Sequence, residues 1–173
     1  MAFSDISKIE NTNDYLPLVN GCLNAELCII FLCVYEFFVS SQLREWYKQF
    51  QLTALFFDIT TLLLIIILTR FLYKYLFKDF KVIYFIILAV ILQILYNALF
   101  YVLVNNYWLK NDIFLFQKKY IQEIGFKSFM FYSIFIMILA CLLSSYYCTV
   151  SVNSNIINLI ASIYFYSFMI NEV

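Results

Sequence analysis

The chain has no histidine, one proline and two glycines. Without histidine, the usual zinc, haem and general-base arrangements lose their commonest ligand. No D-x-x-D or H-x-x-x-H pattern occurs either. Metal-assisted lipid chemistry therefore has little to work with, and neither a metal nor another cofactor is expected. Membrane helices usually carry more glycine and proline than this. Their scarcity predicts long, mostly unkinked helices and disfavours transport sites built on broken helices. No G-x-x-x-G pattern occurs, whereas there are twenty Phe and fifteen Tyr. That points to bulky packing rather than close small-residue contacts. The five cysteines form no C-x-x-C, which argues against a thiol oxidoreductase. Lying in or beside apolar runs, they read as small packing residues.

Charge is also scarce, at 13% of the 173 residues against 65% apolar, and mean hydropathy is +0.87. Soluble domains average about a quarter charged. A core of this size cannot bury so much apolar surface, so the excess must face lipid. Lys and Arg equal Asp and Glu at eleven each. No basic block is large enough to track a phosphate backbone, so no nucleic-acid partner is expected.

The remaining pattern predicts an all-α, polytopic transmembrane helical bundle with four or five membrane helices. A polar N-terminal tail spans residues 1–18 and a single helical membrane domain spans residues 19–173. The tail lacks a basic region before the first apolar run, so a cleaved signal peptide is not expected. Helices are expected near residues 19–40, 50–77, 82–104 and 126–147, with a short fifth, spanning or half-inserted, near 156–170. An amphipathic helix at 113–124, ended by Gly125, lies between the third and fourth. Phe114, Leu115, Ile121 and Ile124 supply its apolar side, and this connector is the region expected to be exposed.

The second helix is the most informative. Twelve of the seventeen residues from Leu52 to Leu68 are Leu, Ile or Phe, and Asp58 sits among them. A mid-bilayer carboxylate costs roughly 2.5–3.5 kcal/mol on insertion scales, and the apolar residues return roughly 4–7. The segment can insert, and Asp58 is expected inside the bundle, reaching Gln93, Asn97 or a tyrosine hydroxyl. Gln93 and Asn97 share a face of the third helix, and a buried amide bonds across helices or stays costly. Glu26 and Glu36 flank the centre of the first helix, and each reads as headgroup-facing or, in the sharper alternative for Glu36, turned into the bundle. Arg70 lies twelve residues beyond Asp58, about 18 Å along a helix, too far to pair with it. Glu26 is its favoured protein partner, close to plain lipid anchoring.

Candidate interface residues are Arg44, Trp46, Tyr47 and Trp108, where aromatic and basic residues alternate. Lys74 and Lys78 continue a stripe from Arg70 that could attract anionic lipid. Asn155 and Asn158 fall on a polar stripe of the last helix. Lys and Arg number five on the side of the N-terminal tail and six on the other, a difference too small to set orientation.

Trp46-Tyr47-Lys48-Gln49-Phe50, Thr53-Ala54, Asp58 and Thr69-Arg70-Phe71-Leu72-Tyr73 together resemble a small polytopic membrane protein of large nucleocytoplasmic DNA viruses. The resemblance covers residues 43–75 and implies a virion internal membrane or a host endomembrane, with no activity to carry over. A structural or scaffolding membrane protein is the first expectation for function. A small channel or proton-linked transporter using the intramembrane polar residues is the second, and an enzyme is the least favoured. Expected partners are membrane lipids, a second copy of the chain, or other membrane or virion proteins.

Overall fold

The structure, a computed structural model, describes residues 4–35, 41–106, 111–170 and 172. Among these there is no strand. Six α-helices follow a 3-10 turn at Thr12–Asp14: α1 (Tyr15–Val34), α2 (Ser41–Leu76), α3 (Val82–Asn106), α4 (Asp112–Ile124), α5 (Phe126–Tyr147) and α6 (Val152–Met169). Among the described residues, four stretches are long and apolar enough to cross a membrane: Thr12–Val34, Ser41–Leu76, Val82–Asn106 and Ser128–Tyr147. The chain is an integral, multi-pass helical membrane protein. Large apolar side chains remain exposed on its outside, among them Phe56, Leu64, Ile83, Leu99 and Phe131, as lipid-facing positions require.

Helix α1 is the hub, packed against α5, α2 and α6. Its contact with α5 is close because Gly21 lies directly on Ser144. A Cβ at Gly21 would stand 2.5 Å from the Ser144 backbone nitrogen. The missing G-x-x-x-G pattern and the many Phe and Tyr pointed away from small-residue contacts, yet this crossing depends on one. Polar bonds join α1 to α6: Asn20 donates to the Asn155 side chain at 2.9 Å and backbone carbonyl at 2.8 Å. Ser162 reaches Asn24 at 3.4 Å.

The connector at residues 41–50 is helical, and α2 breaks at Gln51, where φ is 45° and ψ −122°. Trp46 and Asp58 are twelve residues apart, about 18 Å in a straight helix. Their side chains nonetheless meet at 3.0 Å. The chain must fold back at Gln51, which turns residues 41–50 over the end of the bundle. Helix α4 covers the same end. Asn111 caps it by accepting from the Ile113 amide, and Gly125 ends it at φ 78°.

The N-terminal tail is part of the fold, not an exposed appendage. Ile6 is fully buried, and Ser4 exchanges two hydrogen bonds with Ser145 on α5. Helix α2 ends at Leu76, within one residue of the expected end at 77. The Tyr73 hydroxyl holds the turn to α3, donating to the Asp79 carbonyl at 3.1 Å and accepting from the Lys81 amide at 2.9 Å.

Candidate functional site: an acid pair inside the bundle

Glu26 comes from the middle of α1, and Asp58 from the second turn of α2 after the Gln51 break. Between them stands Tyr47, carried there by the fold-back. Its hydroxyl lies 2.9 Å from Glu26 Oε2 and 3.3 Å from Asp58 Oδ2. The Trp46 indole N–H donates to the same Asp58 oxygen at 3.0 Å. Glu26 is 2% exposed and Tyr47 1%, so both are shielded from bulk water, while Asp58 is half-buried. No basic side chain among the described residues forms an ion pair with either acid.

A tyrosine hydroxyl has one proton to donate. It can satisfy Glu26 or Asp58, but not both. With both acids ionised, the second contact would set oxygen lone pairs against each other in a medium of low dielectric constant. A proton on one carboxyl group completes the chain, because that acid then donates to the tyrosine oxygen. The geometry suits two acids sharing one proton through Tyr47.

The unit opens on a cavity of about 100 Å³. A water occupies about 30 Å³ in the liquid, so this space admits a few. Helix α3 contributes Gln93 and Asn97, α4 contributes Gln117 and Tyr120, and α5 contributes Tyr132 and Ser133. Gln93 donates to Asn97 Oδ1 at 3.0 Å, and Asn97 donates onward to the Met130 sulfur at 3.4 Å. The Gln93 carbonyl oxygen is buried without a hydrogen-bond partner. Burial pushes the Tyr120 hydroxyl well above the ordinary tyrosine range, so it stays a neutral donor.

Asp58 therefore lies inside the bundle, as its cost in lipid demands. Its direct partners are a tyrosine and a tryptophan, while Gln93 and Asn97 share its cavity. Trp46 and Tyr47 are not interface anchors; they are buried at 2% and 1% exposure. Arg44 is half-buried and donates to the Cys33 and Val34 carbonyls at 3.1 and 3.3 Å, capping α1. Glu36 and Trp108 lie outside the described residues.

The favoured Glu26–Arg70 pair does not form. Arg70 meets Asp14 at 3.0 Å and also donates to the Lys8 and Asn11 carbonyls. Asp14 stands twelve residues before Glu26, about 18 Å along the helix. It is therefore level with Arg70, just as Glu26 is level with Asp58. Arg70 is fully buried and leaves the basic stripe, of which Lys74 and Lys78 stay exposed. Lys74 is 3.8 Å from Glu10 and lies over the Phe71 and Tyr75 rings. Asn155 is buried against α1 and donates to the Tyr147 carbonyl. Asn158 accepts from the Tyr147 hydroxyl at 3.3 Å.

Gln117 and Tyr120 went unread as site residues. They sit one helical turn apart on the inward face of α4, while Leu115, placed on the apolar side, is 53% exposed. The pattern of α4 showed two faces, but not that the buried one would close over a polar space. No family model, curated protein or solved structure matches this chain.

Proposed function

We propose that this chain is a small proton-linked channel or transporter, whose exchangeable proton resides on the Glu26–Tyr47–Asp58 unit. One observation carries the reading: a buried acid, Glu26, and a half-buried one, Asp58, converge on a single hydroxyl beside a polar cavity, with no described basic partner. Ionisable groups inside a membrane are costly and face bundle interiors or water-filled spaces, where they mark ion and proton paths. A carboxyl pair kept only for stability would normally be matched by a cation, as Asp14 is matched by Arg70.

A structural role is the second reading. It is supported by the stapling of the tail to α2 and α5, which makes a rigid unit of the far end of the bundle. The resemblance over residues 43–75 supports a virion or virus-modified membrane as the setting, with lipids and neighbouring membrane proteins as partners. The deciding experiment is proton flux into liposomes holding the purified chain, read by an internal pH-sensitive dye under an imposed gradient. The wild type should conduct above protein-free liposomes. Asp58→Asn and Glu26→Gln, at equal incorporation, should fall to background. No flux in any of the three proteins favours the structural role.

A further inference from the structure

The cavity wall carries donors in the Tyr120 hydroxyl and the Gln117 amide, yet one of its buried acceptors has no partner. Two acids and the unpartnered Gln93 oxygen, whose side chain belongs to a residue only 4% exposed, all offer acceptors. One N–H of the Gln93 amide is engaged with Asn97, and one of the Asn97 amide with Met130. The walls are aromatic: Trp46, Phe57, Tyr96, Phe100 and Phe129 line the same space. Ring faces attract cations, and more strongly where water is excluded. A proton alone satisfies the acids but leaves the Gln93 oxygen and the ring faces unused.

We propose that the cavity binds a small primary alkylammonium ion, its N–H groups shared among Asp58, Glu26 and the Gln93 oxygen, its alkyl part against the aromatic walls. The volume of about 100 Å³ suits a short chain. The inference rests on the acid pair being the functional centre. As the ion enters, the proton shared by the two acids leaves to solvent, so the charge of the buried unit rises by none. An ammonium brings three donors to a set of acceptors, which a quaternary ammonium ion cannot do.

The chain has two tryptophans, so Trp108→Phe leaves Trp46, in the cavity wall, as sole reporter. The full chain in detergent is titrated with methylammonium chloride, with sodium chloride and tetramethylammonium chloride at matched ionic strength. A saturable change in Trp46 fluorescence is expected with methylammonium, and none with sodium or tetramethylammonium. Asp58→Asn should raise the half-saturation concentration by about tenfold or more, as for the loss of one charged hydrogen bond. Gln93→Met, which keeps the volume and removes the orphan oxygen, should also weaken binding. Circular dichroism checks that each variant is folded. No saturable response, an equal response to sodium or tetramethylammonium, or binding indifferent to both substitutions overturns the proposal. Proton flux without methylammonium binding overturns it and leaves the proton-linked reading standing. Binding without flux supports it and removes that reading.

Discussion

Arg70 and Asp58 carry the same lesson at the scale of single residues: where a buried charge finds its partner is set by depth in the bundle. The Arg70–Asp14 pair is almost wholly buried, with side chains 0% and 10% exposed, and two of the three Arg70 guanidinium nitrogens have no hydrogen-bond partner among the described residues. Removing one member of such a pair strands the other, at about 3–5 kcal/mol, whereas replacing both with apolar residues is often neutral. Asp14→Ala should therefore lower the melting temperature in detergent sharply. Asp14→Leu with Arg70→Met together should recover most of the loss. Equal losses for the single and double variants would show that the pair is not what holds the tail. The need for Asp58 to find polar company was legible in its sequence context, since a carboxylate in an apolar run has few alternatives. The identity of Arg70's partner was not, because it depends on the tail folding back across the end of α2, and nothing in the tail's composition fixes that path.

Among the helices, the apolar runs announce themselves, and α5 begins and ends at Phe126 and Tyr147 as their pattern predicts. The break in α2 leaves no such mark. Neither glycine nor proline stands at Gln51, although its φ of 45° lies where side chains are disfavoured. Sparsely populated backbone conformations of this kind cost about 1–3 kcal/mol and persist where the surroundings impose them. Here the imposed contacts are visible. The Tyr166 hydroxyl on α6 donates to the freed Gln51 carbonyl at 2.7 Å, while Trp46 and Tyr47 are held by Asp58 and Glu26. Gln51→Gly should relieve the strain and raise stability by about 1 kcal/mol, after part of the gain is offset by the greater freedom of glycine in the unfolded chain. Gln51→Ile should lower it. Thermal unfolding in one detergent measures both, and a loss of stability with glycine would contradict the fold-back as drawn.

For the molecule as a whole, the question left open by the sequence was whether the last helix runs the depth of the bundle. Helix α6 is not among the four stretches meeting the length and hydropathy of a membrane span. Its contacts nevertheless run from the tail end of the bundle to the fold-back end: Asn155 meets Asn20 and Ser162 meets Asn24 on α1, and Tyr166 reaches Gln51 on α2. Residues 8 and 172 should then lie on opposite sides of the membrane. Protease-cleavable tags inserted at those positions, in sealed vesicles of uniform orientation, should be cut from opposite faces; cutting from one face would make α6 a half-inserted helix. The central claim, however, is that one proton is shared by Glu26 and Asp58 through Tyr47. It is tested most directly by the infrared carboxylic-acid C=O band of the purified protein at neutral pH, followed during exchange into deuterium oxide. A protonated-carboxyl band should be present, shift on exchange, and be lost or displaced in both Asp58→Asn and Glu26→Gln. If no such band exists, or if neither substitution alters it, both acids are ionised or act independently, and the account of the site is wrong.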